Sequence, residues 1–191
     1  MTRLPDAVVA VHDVFTHANV PHAVGGAIAL GYYAEPRATI EMDLDVFLPT
    51  PDAARVVQVL ESRGATVPDP AEITNHLPVA GLRCSWDGFP VDLFFAFDAE
   101  YFAVVESRVR LFPFADSTGK MHELPFISAE DLAVFKIRFD RDKDWIDLQS
   151  MSDAGPLDID YVTHWVLYLG GEREWPRIRR FEALARGSRP A

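Results

Sequence analysis

Cysteine is almost missing from the sequence, and this excludes whole classes of protein. Cys84 is the one cysteine among 191 residues, so no internal disulfide can form. The six histidines are scattered, and no Cys/His spacing is typical of a zinc site. A disulfide-stapled domain and a structural zinc domain are therefore both excluded.

Long apolar runs are missing as well. No window approaches the roughly 18 consecutive apolar residues that a membrane-spanning helix needs. The first segment, "MTRLPDAVVAVHDVF", carries Asp6 and Asp13 where a signal peptide would have an apolar stretch. We therefore expect a cytoplasmic protein with no membrane partner.

The chain also lacks positive charge. Its formal net charge of -11 argues against a protein that coats nucleic acid in general. Arginines are concentrated in the stretch 171–191, so a local basic groove for a nucleic-acid substrate stays open. With 49% hydrophobic residues, the chain is expected to fold around one good core.

Hydrophobic periodicity predicts a mixture of helices and strands, and hence an α+β fold. The predicted helices cover 4–20, 26–34, 50–64, 128–151, 158–170 and 172–186. The predicted strands cover 21–24, 42–49, a hairpin over 78–97, 109–114 and 121–127. We expect a mixed-sheet core over 1–127 and a C-terminal helical unit over 128–191, packed on that core.

Two aspartates stand one residue apart in an apolar strand. Period-two alternation places Asp43 and Asp45 on the same face, where they repel unless a cation lies between them. Asp92, in "FPVDLFF", lies in another apolar strand and is costly there without a partner. If the two strands are neighbours, three carboxylates converge and can bind hard divalent cations. The alternatives are a solvent-facing polar edge for the pair and a salt bridge to Arg83 for Asp92.

Adjacent glycines precede the acidic strand. Gly25 and Gly26 allow close approach of a backbone to a phosphate, and the following helix would direct its amides toward it. A simple tight turn is the alternative for these two residues taken alone.

The order of these features resembles a known family. Strand, Gly-Gly, helix, a strand with Asp-x-Asp and a later strand aspartate are typical of the nucleotidyltransferase superfamily with the polymerase-β-like fold. The stretches "GGAIALGYYAEPRATIEMDLDVF" and "ISAEDLAVFKIRFDRDKDWIDLQSM" further resemble small bacterial proteins related to the AbiEii/AbiGii toxins of type IV toxin–antitoxin systems.

The resemblance implies a role for ten residues. The catalytic and metal-binding carboxylates would be Asp43, Asp45 and Asp92. The nucleotide-binding residues would be Gly25, Gly26, Arg37, Thr39 and Lys136. The acidic pair of the later helix would be Asp144 and Asp147. The alternative for Lys136 is a lysine whose stem packs on the protein and whose amine lies in water. The alternative for Asp144 and Asp147 is a solvated ion-pair cluster with Arg141 and Lys143.

The activity implied is magnesium-dependent nucleotidyl transfer, with up to two ions. An NTP would give its nucleoside monophosphate to a hydroxyl, either on an RNA such as a tRNA end or on a small molecule. A toxin role would imply an antitoxin protein as partner. The alternative is a catalytically silent module that binds a protein partner, because Ala27 and Ile28 offer only backbone where active members carry a serine or an arginine.

Overall fold

The structure, a computed structural model, describes residues 2–67 and 80–187. Its helices are α1 (Leu4–His17), α2 (Gly26–Leu30), α3 (Ala53–Glu61), α4 (Ala99–Ser107), α5 (Ala129–Phe139), α6 (Asp142–Ala154), α7 (Ile159–Gly170) and α8 (Trp175–Gly187). Its strands are β1 (His22–Val24), β2 (Met42–Pro49), β3 (Ala80–Trp86), β4 (Phe89–Ala96), β5 (Arg110–Ala115) and β6 (Met121–Phe126). The first two residues of the predicted hairpin, 78 and 79, lie outside the described residues.

All six strands form one mixed sheet in the order β3-β4-β2-β1-β6-β5. The acidic strand β2 lies inside the sheet, antiparallel to β1 and parallel to β4. The β3–β4 hairpin turns at Asp87 and Gly88, which both have positive φ, as the sequence "WDGF" predicts. This topology makes the strands of the two acidic motifs immediate neighbours.

Two predicted helices end early for reasons that the structure makes clear. The helix expected over 26–34 ends at Leu30, and Tyr32 and Tyr33 continue as turns with hydroxyls bound to the carbonyls of Pro113 and Ile127. The helix expected over 128–151 is two helices, because Asp140 adopts φ 57° and ends α5. Its carboxylate accepts hydrogen bonds from the Trp145 indole and from Arg177, which stabilises the left-handed turn.

Helix α4 has no counterpart among the predicted elements. Asp98 caps it by accepting a hydrogen bond from the Tyr101 amide, as a sequence-level N-cap would. Its apolar residues Tyr101, Phe102 and Val105 are buried. The segment "DAEYFAVVES" therefore carried both a cap and an apolar stripe that predict a helix.

One hydrophobic core runs through the described residues on both sides of residue 127. The ring of Tyr101 in α4 contacts Phe135 of α5 and Trp165 of α7, for example. The division into units 1–127 and 128–191 stays a prediction. No helix among the described residues is long and apolar enough to cross a membrane.

Candidate active site

The Gly-Gly segment and the acidic pair are in direct contact. β1 pairs with β2, and the Gly25 amide donates to the Asp43 carbonyl at 2.8 Å. A Cβ on Gly25 would lie 2.7 Å from Oδ2 of Asp45, and one on Gly26 would overlap Oδ2 of Asp43. Gly26 also has φ 55°, a conformation that favours glycine. The glycines thus make room for the two carboxylates, and the Gly25 amide already has a strand partner.

Both carboxylates hold their protons more tightly than usual. Burial, together with the charges of Asp92 and Glu41, raises the pKa of Asp43 to about 6. Asp45 is 2% exposed, and burial with the neighbouring charges of Asp43 and Asp131 raises its pKa well above the usual range. Two close carboxylates without a neutralising cation are electrostatically costly, and a cation between them would remove that cost.

Asp92 lies beside the pair, bound to an arginine. It is directly opposite Asp43 in the β2–β4 register. Both of its oxygens accept hydrogen bonds from the Arg83 guanidinium, each at 2.6 Å. The salt bridge that sequence reasoning gave as the alternative for Asp92 is therefore present, and it lies at the edge of the acidic cluster.

Lys136 projects from α5 toward the acidic pair Asp43 and Asp45, and its ammonium is buried. Its Nζ donates to Asp147 at 2.6 Å, and the residue is 4% exposed. The alternative interpretation, a lysine with its amine in water, is therefore wrong. Arg37 donates to both oxygens of the same carboxylate. Burial alone would raise the pKa of Asp147. The hydrogen bonds from Arg37 and Lys136 outweigh this effect and hold the pKa below its usual range. Asp147 thereby fixes two cations side by side.

Asp144, the other residue of the predicted acidic pair, binds a third basic side chain. Asp144 is buried and accepts hydrogen bonds from Nε and Nη2 of Arg141, at 2.7 and 3.1 Å. The ion-pair cluster expected for Asp144 and Asp147 therefore exists, but it is buried and includes Lys136 and Arg37. Among the described residues, Lys143, which was expected in this cluster, forms no ion pair with Asp144 or Asp147.

Seventeen residues line one cavity of about 150 Å³ that is partly open to solvent. It includes Gly26, Arg37, Thr39, Asp43, Asp45, Asp92, Lys136 and Asp144 of the predicted set. Gly25 borders it through its contact with Asp45, and Asp147 through Lys136. The Thr39 hydroxyl accepts a hydrogen bond from the Glu41 amide and so shapes the entry to β2.

Three aromatic residues of the cavity wall, Phe94, Phe135 and Phe139, were missed. The rings of Phe94 and Phe139 lie 5.8 Å apart between centroids, at the end of the cavity formed by β4 and α5. A signal was available for Phe94, because it follows Asp92 by two residues and a strand repeats its face with that period. Arg141 and Glu41, also in the wall, could be recognised only once the strands and α6 were assembled.

Asp43 and Asp45 fit a divalent cation better as a pair than they do together with Asp92. Across residues 2–67 and 80–187, no three Asp, Glu, His or Cys side chains form a group arranged to hold a metal ion. Asp43 and Asp45 supply hard oxygen donors, which are the ligands that magnesium prefers. Asp92 would complete the set only after parting from Arg83.

No protein-family model and no curated protein sequence matches the chain. Among solved structures, the solution structure of the antibiotic-resistance factor ANT(2'')-Ia is similar at a TM-score of 0.52 and 14% identity, over 96% of this chain and 93% of that one. The crystal structure of ANT(2'')-Ia with adenylyl-2''-tobramycin gives 0.50 and 14%, over 94% and 97%. That of the lincosamide antibiotic adenylyltransferase LnuA with lincomycin gives 0.49 and 14%, over 81% and 99%.

This protein is therefore an α+β protein with the nucleotidyltransferase fold, as predicted. The narrower resemblance to AbiEii/AbiGii toxins has no counterpart among these three structures and stays a prediction. The roles of the ten predicted residues also stay predictions, now with a common cavity in which to test them.

Proposed function

We propose that the protein is a metal-dependent nucleotidyltransferase that modifies a small hydroxylated molecule. The observation that carries the proposal is the contact of the Gly25–Gly26 backbone with the carboxylates of Asp43 and Asp45, in one cavity with Lys136 and Arg37. An acidic cation site facing a basic anion site is the arrangement that a metal–triphosphate complex requires.

Lys136 and Arg37 are the residues proposed to meet the phosphates. Asp147 holds both cations in place, so little side-chain freedom is lost when an anion approaches. Arg141, fixed by Asp144, would face the same anion from α6. The apolar wall of Phe94 and Phe139 offers flat surfaces for a base or for the apolar part of an acceptor.

Asp43 and Asp45 are proposed as the metal ligands. Magnesium, when bound there, would supply positive charge against the triphosphate and polarise the α-phosphate. The acceptor oxygen forms a bond to the α-phosphorus, the bond from that phosphorus to its bridging oxygen breaks, and pyrophosphate leaves. Asp92, opposite Asp43 in the register, is proposed to accept the proton of the acceptor hydroxyl.

A small-molecule acceptor is favoured over RNA. The net charge of -11 disfavours a long polyanion such as RNA. One similar structure, that of the antibiotic-resistance factor ANT(2'')-Ia, is a complex with the small molecule adenylyl-2''-tobramycin. The RNA acceptor and the toxin role become outcomes to be tested.

The test is phosphorus NMR of ATP, GTP, CTP and UTP with Mg²⁺ and a panel of hydroxylated antibiotics and tRNA. We expect pyrophosphate and an acceptor-linked monophosphate with a small molecule, and a loss of at least about 100-fold in rate for Asp43→Asn and Asp45→Asn. Asp52→Asn, an exposed aspartate outside the cavity, is the matched control. Transfer to tRNA alone would overturn the choice of acceptor.

A catalytically silent module is the second candidate. It is favoured by one specific observation, the engagement of Asp92 by Arg83 and of Lys136 by Asp147. In that case no NTP would bind in the presence of Mg²⁺, and calorimetric titration of each NTP would show no heat above dilution. A protein partner such as an antitoxin would then be sought.

A further inference from the structure

Three charged residues form a row across three neighbouring strands. Asp43 of β2 is opposite Asp92 of β4, and Asp92 is opposite Arg83 of β3. Like charges directly opposite each other on adjacent strands repel. Arg83 offsets this repulsion with two hydrogen bonds of 2.6 Å, one to each oxygen of Asp92.

The arginine approaches its partner from the solvent side. Its side chain is 60% exposed, against 19% for Asp92. An exposed ion pair adds little to stability and can open without disturbing the core. A second partner is at hand, since Nη2 of Arg83 lies 3.3 Å from Oε1 of Glu41. The guanidinium can therefore leave Asp92 and keep a carboxylate contact.

We infer that Arg83 is a positioning residue that competes with a divalent cation for Asp92. While the pair is closed, Asp43 and Asp45 bind the cation with two carboxylates. When the pair opens, Asp92 becomes a third ligand and Glu41 retains the guanidinium. The affinity of the site for the cation is then set by Arg83. This inference rests on the proposed metal site, but it concerns a residue outside the nucleotidyltransferase motifs.

A simple effect of charge must be separated from this competition. Removing any cation from the cavity wall strengthens the binding of another cation somewhat. Lys143 is the matched control, because it lines the same cavity and, within the part of the chain that the structure describes, forms no ion pair with Asp92. Lys143→Ala removes the same charge and leaves the Asp92 carboxylate paired.

The experiment is a titration of the full chain with Mn²⁺ alone, followed by the electron paramagnetic resonance signal of the unbound ion. We expect Arg83→Ala to bind Mn²⁺ about tenfold more tightly than the wild type, since a third carboxylate becomes available. Lys143→Ala should gain less than about twofold, because its charge is screened by solvent. Arg83→Lys, with one donor group in place of a fork, should lie between the two.

The double variant Arg83→Ala/Asp92→Asn completes the design. If Arg83 acts through Asp92, the gain disappears in this variant. A gain that survives it, or one no larger than that of Lys143→Ala, would overturn the inference. Wild-type binding that is lost in Asp43→Ala but not raised in Arg83→Ala would overturn the role of Arg83 and leave the proposed function standing. Absence of Mn²⁺ binding in every variant would overturn both, and circular dichroism confirms that each variant is folded.

Discussion

At the scale of single residues, Gly25 and Gly26 are required for different reasons. Gly25 has an ordinary extended φ, so only its distance of 2.7 Å from Asp45 forbids a Cβ. Gly26 has both a positive φ and an overlap with the Asp43 carboxylate. The two carboxylates can approach the β1–α2 corner because neither residue there has a side chain.

We therefore predict that Gly26→Ala destabilises the protein more than a strained glycine elsewhere. Gly64 also has a positive φ, but a Cβ there would meet nothing within 4 Å, so Gly64→Ala isolates the backbone strain. We expect a loss of about 1 kcal/mol for Gly64→Ala and about 2–3 kcal/mol for Gly26→Ala, measured by urea unfolding. Gly26→Ala should also weaken Mn²⁺ binding, because Asp43 must move. Equal losses in the two variants would show that the carboxylate contact is unimportant.

At the scale of elements, α1 is joined to β1 by a pair of histidines, of which His22 is buried and His12 half-buried. The Nδ1 group of His22 faces the Val20 carbonyl at 2.8 Å, so this nitrogen carries the proton and donates. Its Nε2 then accepts from Nδ1 of His12 at 3.0 Å. The Phe15 ring covers the pair with a centroid distance of 5.1 Å to His22. The His22 imidazole is neutral in this arrangement, because its Nε2 has a free lone pair that accepts.

We predict that this joint weakens in mild acid. Burial, helped by His12, lowers the pKa of His22 to about 4, while the unfolded chain keeps the usual value near 6.5. Between these values the unfolded state binds the proton first, so stability is complete above pH 6.5 and falls as the pH drops toward 4. The contribution at stake is about 3 kcal/mol.

The free energy of unfolding in urea, measured from pH 7.5 to 4.5, checks this. Because other groups titrate too, the quantity to compare is the difference between the wild type and His22→Gln, which should shrink as the pH falls. The control is His17→Gln, which replaces an exposed histidine of α1 and should keep the wild-type dependence on pH. A constant difference between wild type and His22→Gln would contradict the prediction.

How much of the architecture could be predicted also depends on scale. The strand of Asp43 and Asp45 was found with its bounds, 42–49, because alternation over eight residues is a local signal. The break at Asp140 was missed because its turn is stabilised by Arg177, 37 residues away. The partners of Asp147 could not be predicted for the same reason, since Arg37 lies 110 residues away. Sequence patterns therefore identified the acidic motifs and the nearby arginines that pair with Asp92 and Asp144, but not Arg37, the distant partner of Asp147.

At the scale of the whole molecule, contacts across residue 127 unite the sheet and the C-terminal helices. Arg37, which precedes β2, is bound to Asp147 of α6, and the indole of Trp165 in α7 packs on Tyr101 of α4. The hydrophobic core is continuous through both regions. Regions that share a core and buried ion pairs lose both together, so separate unfolding of either one would leave an apolar face and unpaired charges exposed.

We therefore predict one cooperative unfolding transition for the whole protein, although the sequence predicts two units that meet at residue 127. Trp86 in β3 and Trp165 in α7 are both buried and report on the two regions. Two variants that each keep one of these indoles, with the other tryptophans replaced by Phe, are unfolded in urea. Within each variant, fluorescence and far-ultraviolet circular dichroism should give the same midpoint and slope. An earlier transition at Trp165 than in the dichroism of the same variant would instead mean that the helical unit unfolds by itself.

Arg37→Ala should lower both midpoints together, because loss of this partner of the buried Asp147 carboxylate weakens one shared structure.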